Sequence, residues 1–101
     1  MRPIHLCQVD KTRPVVVLSR SIFRENRRWV TVAPITSNIK GLSTEVRVGA
    51  HNGIDHDAVV TCDMVTTVAS SSLGRHLGFL LADQEAALAA AISAAFDLDL
   101  S

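Results

Sequence analysis

Pro14-Val15-Val16-Val17-Leu18-Ser19 is a continuous, β-branched run. Its continuity predicts a central strand buried on both faces, since a half-exposed strand would alternate apolar and polar residues. Pro14 suits the first position of that strand, where a missing N–H costs least. Working outward, Ile4 to Val9 predicts a preceding strand, joined to the run by the tight polar link Asp10-Lys11-Thr12. On the other side, Arg20 to Arg28 is polar and basic and reads as a loop with room for a short helical turn. Trp29-Val30-Thr31-Val32-Ala33-Pro34-Ile35-Thr36 predicts a third strand, and Pro34 within it implies an edge or a bulge.

Further along, Gly41 marks a turn and Thr44-Glu45-Val46-Arg47-Val48 alternates as a half-exposed strand does. Gly49 to Asp57 reads as a loop, with Asn52-Gly53 its strongest turn signal. Ala58-Val59-Val60-Thr61-Cys62 predicts another buried strand, and Val65 to Val68 a short one. Gly74 and Gly78 are expected to break up the stretch that follows Ser70-Ser71-Ser72. The C-terminal part predicts a helix: Asp83 is a candidate N-cap, with Glu85 favourable near the helix N-terminus. Leu88, Ile92 and Phe96 recur at four-residue spacing with Ala91 and Ala95 beside them, forming one apolar stripe. Several short strands and one terminal helix define a single α+β domain over residues 1–101, a small curled antiparallel sheet or barrel with a C-terminal helix.

An apolar share of 48% against 20% charged marks a globular chain. Aromatic residues make up only 4%, too few for a platform on which successive bases stack. The net charge of zero hides an asymmetry. Nine of the ten Lys/Arg residues precede position 50 against three acids, leaving +6, while Arg75 faces seven acids in the remainder, leaving −6. Such a split suggests a polyanion-binding face, unless folding intermixes the two halves. Cys7 and Cys62 each sit in an apolar run and read as buried thiols, since two cysteines make no disulfide framework. No segment approaches the roughly 20 apolar residues of a membrane span. The opening Met1-Arg2-Pro3-Ile4-His5 lacks the apolar stretch of a secretory signal, so a cytoplasmic protein without membrane contact is expected.

The metal case is weak. His5, His51, His56 and His76 show no paired zinc-helix spacing, and Asp55-His56-Asp57 reads better as a solvated turn than as a cation site. Ser19 and Ser37 lack the glycines of a nucleophile elbow. Two strand ends carry more chemistry: Arg13 at the mouth of the valine run, and Thr36-Ser37-Asn38 at the end of the third strand. A guanidinium offers a planar fork of donors suited to phosphate oxygens, and a threonine hydroxyl both donates and accepts. Should the two ends meet, they line an anion cleft; a surface arginine beside a polar strand end is the plainer alternative.

Taken together, these segments resemble the MazF/PemK toxin family. Arg13-Pro14 followed by the valine run and Ser19 is similar to the family's Arg-Pro-[VA]-[LV]-[VI]-[VI]-Ser segment. Pro34-Ile35-Thr36-Ser37 is similar to its Pro-[ILV]-Thr-[ST] segment. Ala58 to Asp63 resembles a later strand, Leu73 to Gly78 its Leu-x-x-x-[ILV]-Gly segment, and Leu88 to Leu98 its terminal helix. The segments fall in the family's order over roughly residues 4 to 98.

The resemblance implies a fold shared with CcdB-type gyrase poisons, a two-fold homodimer, and cleavage of single-stranded RNA at short sequences without a cofactor or metal. It assigns catalysis to Arg13 and Thr36; Lys11, Ser37, Asn38 and Asp63 are the further candidates for RNA contact, with ordinary solvated surface as the alternative for each. A cognate MazE-like antitoxin, whose disordered tail folds across the RNA groove, is the implied partner. The chain also departs from the family. Arg2-Pro3-Ile4-His5 replaces the frequent Gly-[ED]-[IV]-[WY] opening, Met64 stands where relatives often have glutamine, and the first inter-strand loop is cut short. That short loop leaves the general base open between Asp10 and a histidine, and favours an open cleft. A CcdB-like gyrase inhibitor and a silent paralogue that only binds antitoxin are the alternatives; neither uses both Arg13 and Thr36 for cleavage.

Overall fold

Val15, Val16 and Val17 are all fully buried in the computed structural model, which describes residues 1–20 and 28–98. Successive strand side chains point to opposite faces, so such a run needs a core on each side. Val16 packs with Ile4, Ala33, Ile35, Val60 and Leu88, whereas Val15 and Val17 pack with Cys7, Val30 and Val32.

The strands are β1 (Pro3–Gln8), β2 (Thr12–Val17), β3 (Trp29–Thr36), β4 (Glu45–Val48), β5 (Ala58–Thr61), β6 (Thr66–Ala69) and β7 (Leu73–Phe79), followed by helix α1 (Ala82–Ala95). They form one antiparallel, open sheet in the order β4-β5-β3-β2-β1-β7, with β6 added on β3. The curl comes from β3. One side of it pairs with β2 through Val32, Ala33 and Pro34. Its other side pairs first with β6 over Trp29 to Val32 and then with β5 at Ile35 and Thr36. Pro34 falls where β3 changes partner, so the edge its presence implies is local to that gap. The predicted loop from Arg20 to Arg28 lies largely outside the described residues.

Four sequence expectations need correction. Pro14 is the third residue of β2, opposite Leu6; it is tolerated there because pairing with β3 begins only at Val15. Gly74 and Gly78 do not interrupt the chain but lie inside β7, which pairs with β1 through two register irregularities. The backbone demands a glycine at Gly78, where an added Cβ would lie 2.2 Å from the Asn52 carbonyl oxygen. Asp83 lies within the first turn of α1 and does not cap it. Gln84 takes part of that role, its Oε1 accepting the Leu81 N–H at 2.9 Å. Finally, α1 stops at Ala95, so Phe96 leaves the stripe and is 55% exposed, while Leu88 and Ala91 are buried and Ile92 and Ala95 pack beside them.

The buried side of the 49–57 loop is held by a polar cluster. Asn52 is buried; its Nδ2 donates to Phe79 O and Gln84 Oε1, and its Oδ1 accepts from Gly49 N and Gln84 Nε2. Gln84 Nε2 also donates to Arg47 O, so one cluster joins α1, β4, β7 and the loop. Gly53, at φ +81°, makes the turn that Asn52-Gly53 predicts. Cys7 and Cys62 are both free and buried. Among the described residues, no helix is long and apolar enough to cross a membrane.

Candidate active site

The register brings the two singled-out strand ends together. Val15 faces Pro34 at the end of the β2–β3 pairing, and Arg13 and Thr36 each lie two residues beyond that last pair, toward the ends of their strands. Residues at i and i+2 share a face, so Arg13 continues the face of Val15 and Thr36 that of Pro34. The second core therefore opens at its end into a groove of about 680 Å³, lined by Arg13, Thr36, Asn38 and Asp63 among others. Asp10 is on the same lining. Lys11 and Ser37 are exposed and are not among the residues lining the groove, although each is a chain neighbour of one that is, Asp10 for Lys11 and Thr36 and Asn38 for Ser37.

Within the groove each polar group has a defined setting. Arg13 Nη2 donates to Asp10 Oδ2 at 2.9 Å, across the three-residue turn between β1 and β2. Arg13 Nε is buried and has no acceptor among the described residues. Thr36 Oγ1 accepts the Asn38 N–H at 3.2 Å, which leaves its own proton free to be donated. Asp63 Oδ2 accepts from Thr44 Oγ1 at 2.5 Å, tying the turn after β5 to the residue that precedes β4. Burial, with the Asp63 carboxylate adding to it, pushes the Cys62 thiol up to about 11, so Cys62 is a neutral packing group and no nucleophile. Asp55 and His56 meet at 2.6 Å on an exposed turn. Among the described residues no group of three or more His, Cys, Asp or Glu side chains could hold a metal ion.

An arginine and a threonine from adjacent strands and one paired carboxylate line an open groove, an arrangement whose donors suit an anion. Residues 4–96 match the family of PemK-like, MazF-like toxins of type II toxin-antitoxin systems. The chain belongs to that family. Endoribonuclease MazF3 of Mycobacterium tuberculosis is 54% identical over 99 residues, which is 98% of this chain and 96% of the relative. The solved structure of the Mycobacterium tuberculosis toxin MazF-mt6 superimposes with a TM-score of 0.95 at 54% identity, covering 97% of this chain and 99% of that one. A MazE-MazF structure (Form-III) from Deinococcus radiodurans superimposes with a TM-score of 0.74 at 26% identity, covering 94% of each chain. The MazF fold is thus the curled seven-stranded sheet with one terminal helix described above.

The short MazF loop between β1 and β2 has a local consequence. With Gln8 opposite Thr12, and Thr12 Oγ1 donating to Gln8 Oε1 at 2.7 Å, the turn is closed tightly. Only Val9, Asp10 and Lys11 lie between the strands, so this turn supplies no long flap over the groove. Two charged lining residues, Lys40 and Glu45, are not among the site residues that the sequence points to. The usable signal for them was the basic residue beside the Gly41 turn and the acid that follows that turn.

Proposed function

We propose that this chain is an endoribonuclease toxin that cleaves single-stranded RNA in the groove between β2 and β3, without a metal, as a homodimer restrained by a MazE-like antitoxin. The observation that carries the reading is that Arg13 and Thr36 line the same groove, in a chain of this family. The RNA supplies its own nucleophile. Its 2′-OH gives up its proton as the oxygen attacks the adjacent phosphorus, the P–O5′ bond breaks with O5′ taking a proton from water, and the products are a 2′,3′-cyclic phosphate and a 5′-OH end. Arg13 donates to the non-bridging oxygens as negative charge grows on them, and the Thr36 hydroxyl holds the same phosphate in line. The Arg13 Nε, buried without an acceptor, carries a desolvation cost that an arriving phosphate oxygen relieves.

Asp10 is the general base in this reading. It lies beside Arg13 at 2.9 Å and faces the groove, so it stands near any phosphate that Arg13 holds. None of the four histidines lines the groove. Asn38 and Asp63 offer donors and acceptors to base edges from the groove lining, and the exposed Lys11 and Ser37 adjoin lining residues in the chain. The antitoxin proposal draws on the MazE-MazF relative from Deinococcus radiodurans.

The test is direct. A 2′-deoxy substitution at the cleaved nucleotide removes the nucleophile, so that RNA should bind and survive while the all-ribose strand is cut. Cleavage of the deoxy-substituted bond would defeat the mechanism.

A further inference from the structure

We infer that the loop joining β3 to β4 is a built second phosphate subsite of the RNA groove, with Lys40 as its phosphate-binding residue and Glu45 as the positioning residue that shapes it. The inference rests on the endoribonuclease reading and adds to it a residue pair outside the Arg13 and Thr36 end.

Among the described residues the cations lining the groove are Arg13 and Lys40, and Arg13 is already paired with Asp10. Lys40 has no ion-pair partner among the described residues, and its side chain is exposed. A lysine left unneutralised in a groove that takes a polyanion is a phosphate contact by default of any competing acid. Glu45, the acid nearest in the chain, does not compete, because its carboxylate is engaged elsewhere.

That engagement is the second observation. Glu45 Oε1 accepts three backbone N–H groups in succession: Lys40 at 3.2 Å, Gly41 at 2.8 Å and Leu42 at 3.2 Å. The Glu45 N–H in turn donates to Leu42 O at 3.1 Å. Gly41, at φ +77°, supplies the left-handed turn that lets three successive N–H groups converge on one oxygen. Glu45 itself is fixed on β4, opposite Thr61 of β5. The loop is anchored again one residue earlier, where Thr44 donates to Asp63 and its carbonyl accepts the Cys62 N–H at 3.0 Å. A loop this thoroughly tied presents Lys40 at a fixed height on the wall, together with Leu42, which is 50% exposed and offers an apolar surface to a base. Ordering is therefore complete before RNA arrives, and the contact gives affinity without a folding cost.

The experiment measures steady-state cleavage of a single-site RNA oligonucleotide by wild-type, Lys40→Ala, Glu45→Ala and Glu45→Gln proteins over a range of salt. Lys40→Ala should raise KM about tenfold, leave kcat within about twofold, and lower the steepness of log(kcat/KM) against log[salt] by about 0.7, the value for one phosphate contact on a single strand. Glu45→Ala should raise KM similarly by releasing the loop. Glu45→Gln should restore near-wild-type KM, because the oxygen it keeps can accept all three N–H groups and only the longer 3.3 Å contact of the Lys40 N–H with Oε2 is lost. An unchanged KM and salt slope in Lys40→Ala, whether or not inhibition by an antitoxin weakens, overturns the subsite while leaving cleavage intact. A Glu45→Gln protein as impaired as Glu45→Ala overturns the positioning role. RNA left uncut by the wild type overturns both this inference and the reading beneath it.

Discussion

Replacing Asp10 by asparagine separates two roles that the ion pair with Arg13 combines. The asparagine side-chain oxygen can still accept from Arg13 Nη2, now 2.9 Å from the carboxylate, but it cannot take a proton from a 2′-OH. Asp10 is 71% exposed and Arg13 20%, so the pair is screened by water and its loss costs at most about 0.5 kcal/mol of stability. For a domain of this size that is a Tm change of roughly 2–4 °C. Activity behaves differently: losing a general base removes about 10²–10⁴-fold from kcat. The assay is single-turnover cleavage of a labelled RNA under saturating enzyme, paired with thermal unfolding of the same preparation. Asp10→Asn should fold like wild type and lose at least a hundredfold in rate, and Asp10→Ala should lose no less. If Asp10→Asn cuts within about threefold of wild type while Asp10→Ala is strongly impaired, Asp10 only orients Arg13 and the base lies elsewhere.

Other consequences follow from the packing. Asn52→Ala removes four hydrogen bonds from a buried cluster and strands Phe79 O and Gly49 N, so chemical denaturation should show a loss of about 2–4 kcal/mol. Gly78→Ala drives a Cβ to 2.2 Å from the Asn52 carbonyl oxygen and should give little soluble protein, visible as a loss of cooperative unfolding. The thiol of Cys62 is raised from an ordinary 9.0 to about 11, so its neutral form is the one that suits the fold. Below pH 9 both folded and unfolded chains hold that proton and stability is unaffected; between pH 9 and 11 the unfolded chain loses it first. Stability should therefore fall by about 2–3 kcal/mol across that window, a fall that Cys62→Ala or Cys62→Ser would largely abolish in urea titrations.

How much of this was legible beforehand differs by element. The valine run announced its own double burial because continuity is a one-dimensional signal, and the Arg13 and Thr36 segments could be singled out from residue type. What residue type could not supply was the partner change along β3, since that depends on where β6 and β5 return to the sheet. The glycines of β7 misled for a related reason: a glycine looks like an interruption in sequence, yet Gly78 is demanded by the approach of the 52–53 backbone, a contact about 25 residues away. Asp83 misled because the cap region of α1 is served by Gln84, whose amide also belongs to the Asn52 cluster. In the groove, Lys40 and Glu45 went unread because a lysine and a glutamate five residues apart resemble an ordinary solvated turn. Only the convergence of three N–H groups on one carboxylate oxygen distinguishes them.

The central claim is that Arg13 and Thr36 cut RNA through its own 2′-OH, and end-mapping tests it most directly. Purified protein, free of antitoxin, is incubated in EDTA with a long mixed-sequence RNA, and the new ends are sequenced and typed. The account predicts cuts at a discrete recognition sequence bearing 5′-OH and 2′,3′-cyclic phosphate ends, with Arg13→Ala reducing them about 10²–10³-fold. Intact RNA from folded protein, or cleavage that persists in a folded Arg13→Ala variant, would contradict it and point to a gyrase-directed or non-cleaving role.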